Sequence, residues 1–253
     1  MGIKHDNRVI NNVQVKMNQT IKPIPSLSKS KFITGLQCLK ALHYLCYNPK
    51  LHDKIPDDRK KIFTQGTNIG VYAREVYPGG ELINENPRQT SQAIEHTLTA
   101  MSEAKPGDAI YEAAFEVDGI VVRADIILKN KDNSWDLIEV KSAKSVKDIN
   151  IRDVAIQTYV MEKSGCVVNN IYLMYMAPEF QYDNPDWSNI SNNFVKADIK
   201  QASREFIEQI PQYINEMKEA IFSPAVLPQV EPGEHCEYPY KCSFYNQCHS
   251  ENN

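Results

Sequence analysis

No stretch of this chain is apolar for long enough to span a bilayer as a helix. Its opening residues, MGIKHDNRVINN, lack the apolar core of a secretory signal, and Asp6 breaks the Met-Gly myristoylation pattern. The expectation is a cytoplasmic protein with no membrane partner. Positive excess is missing too. The formal net charge is −4, so no overall basic field points to a nucleic-acid partner. Basic charge is local instead: Lys29, Lys31 and Lys40; Arg59, Lys60 and Lys61; Lys141, Lys144 and Lys147. There is no internal repeat and no low-complexity tract, which sets aside solenoids and extended linkers.

What is present suits a globular protein. The 253 residues are 42% hydrophobic and 24% charged, enough for one large domain or one core with added helical parts. Six cysteines in a chain with no export signal favour metal or catalytic use over structural disulfides.

Periodicity divides the chain into four parts. Residues 1–25 read as a loose arm. Residues 26–105 read as a helical cap: a helix through FITGLQCLKALHYL with Ser28 and Ser30 as N-cap candidates, a second from Asp57 to Tyr77, and a third from Ser91 to Glu103. Residues 106–225 read as a mixed core. Ile110 to Val117, Ile120 to Leu128 and Trp135 to Val140 alternate with period two, and Asp118-Gly119 is a two-residue hairpin signal. A helix from about Arg152 to Lys163, a strand from Asn170 to Met176, and a long helix from Asp198 to Ile221 kinked at Pro211 complete it. Residues 226–253 form a cysteine-bearing tail. The expected fold is α/β, a mixed sheet flanked by helices.

The turns fix a register. A two-residue loop at Asp118-Gly119 sets Val117 opposite Ile120 and hence Glu112 opposite Asp125. A second turn centred on Asp132 sets Asp125 opposite Glu139. Lys141 falls on the same face, about 6.6 Å beyond Glu139. The other face, with Phe115, Val117, Val122, Ala124, Ile126, Ile138 and Val140, is expected to be core. A row of like charges destabilises a sheet unless a cation sits among them, and hard oxygen ligands suit Mg²⁺ or Mn²⁺. Such an ion lowers the pKa of bound water and steadies the charge of phosphoryl chemistry.

Asp125 followed by Glu139-Val140-Lys141 resembles the D…(D/E)-x-K signature of the PD-(D/E)XK nuclease superfamily. GIVVRADIIL is similar to the G-x-x-x-R-x-D strand of its RecB-type members, and Gln157 to their helical glutamine. The resemblance implies a restriction-endonuclease-like core and a Mg²⁺- or Mn²⁺-dependent deoxyribonuclease. Its implied catalytic residues are Asp125, Glu139, Lys141 and Gln157. The implied metal ligands are Asp125, Glu139 and Val140, with Glu112 added on register alone. DNA, single-stranded or with free ends, is the implied substrate, with a helicase or a CRISPR- or repair-type protein as partner. A silent nuclease fold that binds DNA, and an RNA nuclease, are the alternatives. The sequence departs from the family where a histidine ligand is usual: GTNIG places Gly70 there, with Glu75 later on the same expected helix.

Cys236, Cys242 and Cys248 are spaced C-x(5)-C-x(5)-C, and Cys38 follows Gly35-Leu36-Gln37. One N-terminal and three C-terminal cysteines resemble the iron–sulfur staple of CRISPR-associated RecB-like and AddB-type nucleases, without their tighter C-x(2)-C. The resemblance implies a 4Fe–4S cluster on Cys38, Cys236, Cys242 and Cys248. A structural Zn²⁺ site drawing on flanking His235 or His249 is the alternative. Cys46 and Cys166 are assigned to core packing. The chain is most similar to a family of bacterial proteins sharing this nuclease core, the LSKSKFITGLQC start and the cysteine tail.

Overall fold

Asp118 (φ 53°) and Gly119 (φ 77°) close a tight two-residue turn, and positive φ at both central positions matches the twist of the strands it joins. Those strands are β3 (Ala109–Val117) and β4 (Ile120–Lys129), antiparallel with Val117 opposite Ile120 as expected. The computed structural model describes residues 24–181 and 188–250, so the arm expected over residues 1–25 falls almost entirely outside the described part. The sheet is mixed and has seven strands. Its order is β2 (Glu81–Leu82), β3, β4, β5 (Trp135–Lys141), β6 (Val168–Met176), β7 (Phe194–Asp198), while β1 (Leu27–Ser28) pairs with β4. β1, β2 and β7 were not anticipated. Two of them are two residues long, too short for alternation to register.

Helices cover both faces. α1 (Lys29–Gln37), α4 (Thr90–Glu103), α5 (Asp148–Lys163) and α7 (Ile210–Ala220) bury the larger core, with Phe32, Ile127, Leu137, Ile156 and Ile171 fully inside it. α3 (Asp57–Arg74) lays Ile69 and Ala73 over the other face, against Tyr111, Ile126, Ile138, Val140 and Met174. No described helix is long and apolar enough to cross a membrane.

Two expected helices are each broken in two. The first stops at Gln37 and restarts as α2 (Leu39–Tyr47), because Cys38 is extended (φ −162°, ψ 120°) and its Sγ caps α2 by accepting the Ala41 N–H. The last divides into α6 (Lys200–Ile207) and α7. Pro211 sits in the first turn of α7, where a missing N–H costs nothing, so it starts a helix where a kink was expected.

The single apolar sheet face is also corrected. Phe115, Val122 and Ala124 lie in the larger core, with Val117 packed against it, but Ile126, Ile138 and Val140 lie in the core under α3. The cause is local. Glu112 has φ 57°, and Glu112–Asp125 is the one pair missing from an otherwise continuous β3–β4 ladder. An irregularity of this kind shifts the alternation, so residues on its two sides face opposite ways.

Candidate active site

The site forms where β4 changes neighbours. Its outer edge pairs with β5 from Ile126 to Lys129 and with β1 at Ile120 and Val121. Between these two stretches β5 leaves β4, and the side chain of Asp125 fills the gap. Its Oδ2 accepts the Val140 N–H at 2.7 Å, standing in for a strand partner. Asp125 and Glu139 are thus adjacent just beyond the end of the β4–β5 ladder, in the expected register.

Glu139 is 1% exposed and held on every side. Gln157 Nε2, from α5, donates to Oε2 at 2.8 Å; Lys141 Nζ and Lys29 Nζ approach Oε1 at 2.5 and 3.0 Å. Asp153, one turn before Gln157, accepts from Lys141 and lies 3.7 Å from Lys29 Nζ. The structure therefore brings together Asp125, Glu139, Lys141 and Gln157, all expected, and adds Lys29 and Asp153. Lys29 had figured only in a basic patch. It arrives because β1 docks on the edge of β4 that β5 vacates, so the first residue of α1 opens onto Glu139. Asp153 carried a usable signal: it stands at i−4 from Gln157 and so shares its helix face.

Burial and charge pull these groups apart. Burial, then the neighbouring Glu139 carboxylate, push Asp125 up to about 7. Burial acts on Glu139 in the same direction, but Lys141 and Lys29 outweigh it and hold the carboxyl far below its ordinary range. Lys141 and Lys29 are raised in turn, since Glu139 and Asp153 more than offset the burial that would lower them. Two adjacent acids thus take opposite protonation tendencies, the pattern of sites built for proton chemistry. Gln157 Oε1 is buried with no hydrogen-bond partner, so the cluster keeps one unused acceptor.

Glu112 does not join them. Its carboxylate pairs with Arg74 Nη2 of α3 at 2.9 Å, and the irregular backbone at its own position is what removes it from the expected row of three acids. Among the described residues no three His, Cys, Asp or Glu side chains stand close enough together to hold a metal ion. Val140 gives its N–H to Asp125 while its side chain joins the core under α3. Gly70 lies one turn beyond Gly66, whose Cβ position is 3.8 Å from Ser142 Oγ beside Lys141; a Cβ at Gly70 would meet nothing within 4 Å. Glu75 caps the exposed C-terminus of α3.

The cysteine tail packs at the far end of α1. Cys38, Cys242 and Cys248 share a small buried cluster with Ala41, Tyr44 and Phe244. Cys242 also feels the thiols of Cys38, Cys236 and Cys248, and burial pushes it up to about 11. Gln37 Nε2 ties the tail to α1 by donating to the carbonyls of His235 (2.8 Å) and Tyr240 (2.7 Å). Two backbone N–H groups, Ala41 and Phe244, point at Cys38 and Cys242 sulfurs, both at 3.5 Å. Nε2 of His235 is 3.7 Å from Cys236 Sγ, whereas His249 Nδ1 is bound to the Tyr245 carbonyl. Cys46 and Cys166 pack against the larger core, away from this cluster.

No protein-family model matches the chain, and no curated protein matches it. Among solved structures it is similar to the crystal structure of SSO0001, with 15% identity over 76% of this chain and 78% of that one. The TM-score is 0.30, and a superposition of that quality supports no argument about shared chemistry.

Proposed function

We propose that this chain is a divalent-metal-dependent nuclease of the PD-(D/E)XK type, hydrolysing phosphodiester bonds of single-stranded DNA or DNA ends. The observation that carries the reading is the meeting of Asp125, Glu139, Lys141 and Gln157 where β5 parts from β4. The cluster offers a hard cation two carboxylates. Asp125 Oδ1 accepts no hydrogen bond among the described residues, and Glu139 supplies carboxylate oxygens once its lysines shift. Mg²⁺ or Mn²⁺ there would supply Lewis acidity and a bound water of lowered pKa. The chain's own groups do the rest. Asp125 and Glu139 would hold the ion, with the main-chain carbonyl of Val140. Gln157 fixes the Glu139 carboxylate. Lys141 presents an ammonium to the attacking water or to the charge that develops on phosphate.

The tail cysteines are read as ligands of a structural cluster. Cys38, Cys242 and Cys248 share one small buried cluster with Cys236 buried nearby, and the Ala41 and Phe244 N–H groups aim at the sulfurs of Cys38 and Cys242, as donors to ligand thiolates do; the four sulfurs would have to close in to hold a metal. A 4Fe–4S cluster is the first choice and Zn²⁺ the second.

Two observations favour a second reading, a silent nuclease fold that binds DNA. Both Glu139 oxygens are already engaged by lysine and glutamine, and open space stands at Gly70 where the family places a histidine. A single assay separates the two. Labelled single- and double-stranded DNA and RNA are incubated with Mn²⁺ or Mg²⁺, with an EDTA control. The nuclease reading expects cleavage of single-stranded DNA that EDTA abolishes; binding without cleavage supports the silent fold, and cleavage confined to RNA moves the substrate.

Glu112→Gln refines the metal shell. Its pair with Arg74 is partly exposed, so the change is expected to cost at most ~1 kcal/mol of stability and to leave Mn²⁺ affinity unchanged. Calorimetric Mn²⁺ titration of both proteins checks this, and a clear loss of affinity would return Glu112 to the site.

A further inference from the structure

A cavity of about 640 Å³ opens beside the carboxylates, lined by α1, the start of α5, the end of β5 and the cysteine tail. Its volume is in the range of a small-molecule site. Lys29, Lys141 and Asp153 stand on its wall, so the reacting cluster borders it. Ile33, Ile149 and Tyr240 give it an apolar and aromatic surface. Ile33 and Ile149 also line an adjoining cleft of about 370 Å³, where Arg152, His235 and Tyr238 stand with the acidic Asp148 and Glu234. Two ammonium groups beside an aromatic ring, as Lys29 and Lys141 stand beside Tyr240, are the elements that hold an unpaired strand: cations follow the phosphates and rings stack with bases.

We infer that this cavity binds the unpaired nucleotide next to the phosphate being cut, with its phosphate at Lys29 and its base on Ile33, Ile149 and Tyr240. The inference rests on the nucleic-acid reading above and adds to it a subsite and a preference. Duplex DNA is disfavoured because a base seated inside the cavity cannot also be paired, and one wall is the tail, which Gln37 ties to α1. Lys29 suits the role by position. Its side chain is 25% exposed, and it reaches the cluster from the wall of the cavity, so it can exchange its carboxylate partners for a phosphate. The tail thereby acquires a second task, since Tyr240 and Ser243 form the wall facing α1.

The test measures binding without turnover. Anisotropy of a short labelled oligothymidylate, and of a duplex of equal length, is recorded in EDTA. Tyr240→Ala is expected to raise the single-strand Kd about tenfold, the scale of one lost base–aromatic stack. Thr34→Trp and Ser243→Trp fill the cavity from opposite walls and are expected to raise it at least about as far, with duplex binding unchanged. Melting curves identify any variant that fails to fold, and the two tryptophans enter from different elements, so one such failure leaves the other as the test. Unchanged single-strand Kd in the folded variants overturns the subsite, as does an equal loss for duplex or no binding by the wild type. Cleavage at saturating substrate is scored separately. If the wild type cuts and the cavity variants bind normally, the nuclease reading stands and the subsite falls.

Discussion

Lys141→Ala is expected to lower metal-dependent cleavage by about 10²–10³-fold, the usual cost of removing one group that meets developing charge. It should do so without unfolding the protein. Glu139 keeps Lys29 at 3.0 Å and Gln157 at 2.8 Å, so its buried charge stays compensated. Glu139→Ala is the informative contrast. The sequence sets Asp125, Glu139 and Lys141 on the sheet face away from the expected core, where removal would not harm folding. The structure instead buries Glu139 and leans two ammonium groups on it. Removing one partner of a buried pair costs about 3–5 kcal/mol, so this variant should lose activity and also melt roughly 6–20 °C lower. Glu139→Gln keeps the shape and the Gln157 contact, and is the better probe of chemistry alone. Cleavage kinetics with parallel thermal melts read both quantities. Wild-type turnover by folded Lys141→Ala would remove the lysine from the mechanism.

Protein purified without oxygen should be brown and carry iron, and Cys38→Ser should bleach and destabilise it. A metal joining Cys38 to the tail cysteines closes a loop of roughly 200 residues, worth on the order of 5 kcal/mol in the chain-entropy account of cross-links. In a chain of this length that is a fall in Tm of about 10–20 °C. Cys236→Ser, Cys242→Ser and Cys248→Ser should behave alike. Cys46→Ser and Cys166→Ser should keep the colour, since both lie apart in the larger core. Metal analysis by mass spectrometry decides the outcome: stoichiometric zinc in a colourless protein selects the zinc site, and absence of any metal reduces the cluster to packed thiols. Because Tyr240 and Ser243 flank Cys242, loss of the cluster is also expected to weaken single-strand binding.

Much of the sheet was legible because two local rules agreed. Asp118-Gly119 demanded a tight turn, a second turn was centred on Asp132, and alternation ran between them; the first set Val117 opposite Ile120 and the second Asp125 beside Glu139. The resemblance also pointed to Gln157, which reaches Glu139, and to the nearness of Cys38 to Cys242 and Cys248. The register argument failed at Glu112, since alternation presumes a regular ladder and this residue sits at the one irregular pair. The break at Cys38 was hidden for a related reason. FITGLQCLKALHYL has helical periodicity throughout, and only the placement of Cys38 against the tail reveals that its sulfur caps a second helix.

By itself, then, the sequence determined the local pairings: strands, turns, and the three residues Asp125, Glu139 and Lys141 on neighbouring strands. Tertiary structure alone decided what surrounds them. β1, two residues long, docks on the edge of β4 that β5 leaves, and this delivers Lys29 to a carboxylate 110 positions away. α5 crosses over the same gap and brings Asp153 with Gln157. Hydrophobic periodicity is a property of neighbours within a few turns of chain, whereas an ion pair between α1 and β5 depends on how whole elements pack. The balance of two ammonium groups against Glu139 and Asp153, on which the proposed chemistry depends, is therefore set by packing.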